Sequence, residues 1–349
     1  MPLSIPRLGL GSGYSPPFSS MAAAVHTAVS AGALLVDTAQ NYGSERAIGE
    51  GLRRLGSGGT GTTGTFDVFL LAKVDLCSRE CEDPRARMRR QVGSSLGNLG
   101  VEQLDAVAFH WPFCLDRPLS EEESRTVRKE SYEELESMMD EGLIRSIGLS
   151  NFSVELMDEI IAFARYPPVL NEIEFSPVCH QVGMRRACEE RGIRIVAYSP
   201  YGRCWLAKYF PGFVPWGAES LLEVEAVEAV EAVDGKDKGK GKGKGKGKGK
   251  GKGEVVAQIS RETGLTPAQV LLSWCMQKGV TPIPMSLIPE QVRETAELLR
   301  SGDGDEFRLL CDAQMAALDG LNDPRRGVEA SIEAHSRIIE DPNYVWDMT

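Results

Sequence analysis

Four residues of this chain have the types needed to deliver a proton to a carbonyl oxygen: Asp37, Tyr42, Lys73 and His110. An unperturbed tyrosine titrates near about 10 and is a poor acid at neutral pH, so a neighbouring cation must make it one. Lys73 has that charge. Asp37 would keep the lysine charged and oriented, while His110 would hydrogen-bond the substrate oxygen and set its angle of approach. Each residue taken alone is ordinarily structural, and it is their shared position that makes them a candidate site. Leu34-Leu35-Val36 leads into Asp37, with Tyr42 five residues on; Val68 to Ala72 leads into Lys73; Leu104 to Phe109 leads into His110-Trp111-Pro112. All four therefore fall at or just beyond the C-terminal ends of strand-like runs, where barrel enzymes keep their chemistry.

The elements that would position them repeat along the chain. Apolar runs with strand character fall near 7–10, 34–37, 67–73, 104–109, 144–149, 169–174, 193–198 and 280–283. Most are followed by helical periodicity, at 19–31, 44–54, 83–98, 131–140, 153–164, 183–191 and 289–300, with a last helix expected within 307–318. Eight such units predict an α/β fold of the (β/α)8 TIM-barrel type, a parallel eight-stranded barrel forming one domain over 1–349. A doubly wound sheet is the competitor, but it would show a GxGxxG turn after its first strand, and Gly9-Leu10-Gly11-Ser12-Gly13 has the wrong spacing.

With these residues in place the chain resembles the aldo-keto reductase family over nearly its whole length. The motifs that carry the likeness are Leu8-Gly9-Leu10-Gly11, Asp37-Thr38-Ala39 through Glu45 with Gly49, Lys73, His110-Trp111-Pro112 and Ile147-Gly148-Leu149-Ser150-Asn151-Phe152. Asn171-Glu172-Ile173-Glu174, Val196-Ala197-Tyr198-Ser199-Pro200 and Ile283-Pro284-Met285-Ser286 complete the set. The resemblance implies a monomeric barrel that binds a nicotinamide cofactor in extended form and reduces aldehydes or ketones, with Tyr42 as general acid. It further implies that Ser150, Asn151 and Glu172 meet the carboxamide, Tyr198 stacks on the ring, and Ser199 lies near the pyrophosphate. Glu172 stands where the family usually has glutamine, which removes an amide donor while the group is ionised.

At the adenosine end the resemblance assigns Ser286 and Glu294 to the cofactor. Members that prefer NADPH usually carry a lysine where this chain has Met285 and an arginine where it has Gln291, so NADP(H) is expected first and NAD(H) beside it. Trp111, Phe113 and Tyr14 are expected to line the substrate pocket. A catalytically silent barrel, serving as a cofactor-binding regulatory or scaffold subunit, is the competing functional class.

Composition fits an enzyme of this kind. The chain has 349 residues, 42% hydrophobic and 26% charged, enough for a barrel that commonly takes about 250 residues or more. Its start lacks a secretory signal and no stretch approaches the roughly 18 apolar residues of a membrane span, so the cytosol is the expected location. The eight cysteines lack metal-site spacing and read as reduced thiols, and no metal is expected. Residues 219–253 join an acidic Glu-Val-Glu-Ala repeat to alternating Lys-Gly and read as a low-complexity, disordered insert, because glycine at every second position is too costly to order. Nine lysines from Lys236 to Lys252 against Asp234 and Asp237 give +7, leaving −18 for the rest of a chain of net charge −11. A polyanion-binding arm is the alternative for this segment, but it lacks the aromatics and arginines of nucleic-acid recognition.

Overall fold

Short apolar runs of two-residue period form the sheet because each strand can face a barrel interior with one set of side chains and a helix layer with the other. The computed structural model describes residues 4–13, 16–56, 68–76, 83–114, 119–202, 252–300, 309–323 and 327. Its strands are β1 (Gly9–Gly11), β2 (Leu35–Asp37), β3 (Phe69–Val74), β4 (Ala106–Phe109), β5 (Ile147–Ser150), β6 (Leu170–Glu174), β7 (Arg194–Tyr198) and β8 (Thr281–Pro282). They lie parallel in chain order β1 to β8, the topology of a (β/α)8 barrel. The seam is drawn together where the Gly11 amide donates to the Pro284 carbonyl at 3.0 Å. A Cβ on Gly11 would lie 2.8 Å from the Ile283 carbonyl oxygen, which is why the first strand carries glycine there.

Two apolar layers follow from the alternation. Leu35, Leu71, Ala108, Leu170, Val196 and Ile283 belong to a cluster inside the barrel, with no helix residue among them. Val36, Ala72, Val107, Phe109, Leu149 and Ile173, from the other strand face, pack instead against the helices. Each fully buried leucine contributes about 1.5–3 kcal/mol.

The helices carry their own start signals. Helix α1 (Phe18–Ser30) and α2 (Glu45–Gly56) flank β2, and α3 (Pro84–Leu99) opens on Pro84 with Asp83 accepting from the Ala86 amide. Helix α4 (Glu121–Asp140) starts in a capping box of Ser120 and Glu123, ten residues before the expected 131, because its polar first half carries no apolar period. After α5 (Val154–Ile161) and α6 (Val182–Glu190) come α7 (Lys252–Thr263) and α8 (Pro267–Gln277), neither of which the sequence reading included. Helix α7 begins at Lys252, at the end of the expected insert, whose residues 219–251 lie outside the described residues. Helices α9 (Pro289–Glu297) and α10 (Asp312–Asp319) follow.

The cysteine reading is also corrected at one position. Cys114 is disulfide-bonded, whereas Cys179, Cys188, Cys275 and Cys311 are free. Among the described residues no helix is long and apolar enough to cross a membrane.

Candidate active site

The strand period that fills the barrel with leucine and valine also delivers its polar top layer. Two residues beyond Leu35, Leu71, Ala108, Leu170 and Val196, on the same strand face, stand Asp37, Lys73, His110, Glu172 and Tyr198. Lys73 pairs with Asp37, and its Nζ lies 3.0 Å from Oε1 of Glu172. Burial alone would discourage the ammonium, but the charges of Asp37 and Glu172 outweigh it and hold the Lys73 pKa above its usual value. Asp37 is raised as well, and for it this disfavours the charged form. Burial and then the Glu172 charge raise its carboxyl well above the ordinary range, against the opposing pull of Lys73.

Tyr42 reaches this cluster from a single turn of 3₁₀ helix, Gln40–Tyr42, that ends on left-handed Gly43 at φ 69°. The turn is anchored below by a buried hydroxyl chain: Ser44 Oγ donates to Ser12 Oγ at 2.9 Å and lies 3.1 Å from Thr38 Oγ1. The Tyr42 hydroxyl stands 3.3 Å from Nε2 of His110, and the Lys73 ammonium is 5.3 Å from the centre of the phenol ring. By reciprocity a permanent cation at this range favours the ionised phenol. The structure thus brings together all four residues singled out for proton delivery.

Two contributors went unread in the sequence. Asp75, two residues past Lys73 on the same strand parity, accepts from Asn41 Nδ2 at 3.2 Å, and its Oδ1 is 3.5 Å from Nδ1 of His110. Ser12 lies far from Ser44 in sequence, and their bond depends on how β1 meets the β2 loop. The parity with Lys73 was the available signal for Asp75; Ser12 had none.

The residues expected to hold the cofactor gather on the same rim. Asn151 Nδ2 donates to the His110 carbonyl and to Ser150 Oγ, both at 3.0 Å, and Ser150 Oγ donates to the Glu172 carbonyl at 3.0 Å. Asn151 and Ser199 have left-handed backbones at φ 61° and 49° although neither is glycine. Such conformations cost of order 1–3 kcal/mol and cluster where a ligand is clamped. A rim with convergent amide and hydroxyl groups, a half-buried tyrosine ring and two strained residues fits the nicotinamide end of a dinucleotide.

The other end is a cleft about which Met285, Ser286, Gln291, Glu294 and Thr295 come together. Ser286 Oγ donates to Gln291 Oε1 at 2.8 Å, and Glu294 accepts from Thr266, the N-cap of α8. Among the described residues lining this cleft none is cationic. Arg293 pairs with Glu290 at 3.3 Å, and Arg203 lies outside the described residues. On the substrate side Trp111 is buried, its ring centre 5.8 Å from that of half-buried Phe113, while Tyr14 lies outside the described residues.

The sequence profile described as "Aldo/keto reductase family" matches residues 7–322. An aldo-keto reductase of Mycolicibacterium vanbaalenii is 30% identical over 323 residues, spanning 93% of this chain and 90% of its own length. Aldo-keto reductase family 1 member A1-A of Danio rerio is 27% identical over 355 residues, covering 98% and 92%. Among solved structures, a Bombyx mori aldo-keto reductase in complex with NADP superposes with a TM-score of 0.67 at 22% identity over 92% of this chain and 91% of its own. At that identity the likeness speaks for the fold.

Proposed function

Since the chain belongs to the aldo/keto reductase family, whose members are NAD(P)H-dependent oxidoreductases acting on carbonyls, we propose that it reduces small aldehydes or ketones with Tyr42 as the proton donor. The observation that carries this reading is the Tyr42 hydroxyl 3.3 Å from His110 with the Lys73 ammonium against its ring. When bound, the reduced nicotinamide supplies the hydride. The chain's own residues supply the rest. His110 Nε2 and the Tyr42 hydroxyl converge on one point, where they would hold the carbonyl oxygen; the phenol O–H then breaks as the alcohol O–H forms. Lys73 stabilises the phenolate left behind, and Asp37 keeps Lys73 in place.

Ser150, Asn151, Glu172 and Tyr198 are proposed to hold the nicotinamide end, Ser199 the pyrophosphate, and Ser286 with Glu294 the adenosine. Trp111 and Phe113, with Tyr14, form the apolar side of the substrate pocket. Such a pocket, with few fixed polar groups, favours breadth over discrimination among carbonyls. We further propose a monomer acting in the cytosol on freely diffusing substrates.

Oxidation of NADPH and NADH with an aldehyde panel tests the reading. Tyr42→Phe should lower kcat by about 10²- to 10⁴-fold with cofactor affinity nearly intact. Turnover equal to the parent would overturn the assignment. A silent cofactor-binding barrel, by contrast, would bind nucleotide and turn over none of the panel.

A further inference from the structure

Lys73 faces two carboxylates where the reaction needs one. Its Nζ contacts Asp37 and lies 3.0 Å from Glu172, so both carboxylates are held against one ammonium. The three side chains are no more than 4% exposed. One ammonium cannot neutralise two carboxylates, and an uncompensated charge at such depth is costly. Carboxylates in contact relieve the excess by keeping one proton between them and titrating as a pair.

Among the described residues the surroundings offer no other relief. Tyr42 faces the triad from the turn after β2, through Lys73, and beyond it stand His110 at the end of β4 and Asp75 after β3. Among the described residues no second lysine or arginine is paired with Asp37 or Glu172. We propose that Asp37 and Glu172 form a carboxyl pair holding one proton at neutral pH, and that loss of this proton sets an alkaline limit on proton delivery by Tyr42. The raised titration of Asp37, caused by burial and then by Glu172, agrees with it.

The second half of the proposal rests on the reductase reading. While the pair keeps its proton, Lys73 answers one negative charge and has attraction to spare for the phenolate that forms when Tyr42 gives up its proton. Once the pair is fully ionised, the same ammonium is shared between two anions and the phenol becomes a weaker acid. The shared proton is not consumed in turnover; Tyr42 is reprotonated from solvent.

Infrared difference spectroscopy on the full-length protein reads the pair without any turnover. At neutral pH the parent should show a protonated-carboxyl carbonyl band that shifts in D₂O and is lost in both Glu172→Gln and Asp37→Asn. A parent without the band, or a band retained in Glu172→Gln, overturns the shared proton. Asp37→Asn gives the same test if Glu172→Gln does not fold. In the pH profile of carbonyl reduction, the parent should lose turnover through a one-proton alkaline limb that in Glu172→Gln is absent or displaced upward by about one pH unit or more. Superimposable limbs overturn the functional half. A parent inactive with every cofactor and carbonyl overturns the reductase reading, while the infrared result still decides the carboxyl pair.

Discussion

The phenol of Tyr198 donates a 2.9 Å hydrogen bond to Oδ1 of Asn151, tying the ring expected under the nicotinamide to the amide expected on its carboxamide. In the sheet β6 alone lies between β5 and β7, so the bond bridges over the end of that strand. It also holds Asn151 in its left-handed conformation, together with the two bonds from Nδ2.

Tyr198→Phe separates the ring from the bond. It should lower Tm by a few degrees, in line with about 0.5–1.5 kcal/mol for one net hydrogen bond, while nucleotide affinity measured by fluorescence titration stays within severalfold of the parent. Tyr198→Ala removes the stacking surface as well and should weaken nucleotide binding about tenfold further. Equal losses in the two variants would mean that the hydroxyl, not the ring, holds the cofactor.

Lys73→Met is expected to damage the fold as well as the chemistry. Removing the cation leaves the charge of the buried Asp37 and Glu172 carboxyls uncompensated, and breaking a buried ion pair in this way costs about 3–5 kcal/mol. Chemical denaturation should show a loss of that order near neutral pH and a smaller one in acid, where the carboxylates take up protons. A loss under 1 kcal/mol at neutral pH would show that the two carboxylates do not depend on this lysine.

The pH dependence of stability follows from Asp37. Its folded pKa is raised by burial and then by Glu172, so its stabilising contribution is complete below the unfolded carboxylate value and drains away as pH rises through the folded one. Glu172→Gln removes the second cause. Calorimetry should therefore find the variant equal to the parent in acid and increasingly the more stable as pH rises. A variant less stable than the parent at every pH would contradict this.

Cofactor choice, on the proposed reading, rests with the cleft lined by Met285, Ser286, Gln291 and Glu294. Charge-assisted bonds to a 2'-phosphate are each worth roughly 1.5–3 kcal/mol, and the cations that would make them are absent from the described lining. The parent should use NADPH and NADH with comparable kcat/KM, and Met285→Lys with Gln291→Arg should shift the ratio toward NADPH by at least tenfold. A parent that already prefers NADPH by several hundredfold, with no gain in the double variant, would refute this reading.

Much of the site was legible because it continues a pattern. Asp37, Lys73 and His110 each extend by two the inward positions of an apolar strand, so their convergence follows from strand order alone. Glu172 obeys the same rule from Leu170, yet its place against Lys73 was not readable: the two are 99 residues apart, on β6 and β3, which share no backbone hydrogen bonds. Contacts across a barrel depend on stagger and tilt, which local periodicity does not encode. The first half of α4 was missed for the opposite reason, since Glu121 to Glu130 is too polar to show a period and only the cap at Ser120 marks it.

The burial of the Lys73 triad has a bearing on ionic strength. At about 0.15 M salt, exposed charges are screened beyond roughly 8 Å, whereas buried pairs are screened far less. With side-chain exposures of 0% for Lys73 and 4% for Asp37, the proton-donating end should respond little to added salt. The cleft proposed for the adenosine opens onto solvent at half-buried Met285 and Ser286, where any charge would be in contact with the electrolyte. Added salt should therefore leave the proposed proton transfer almost untouched.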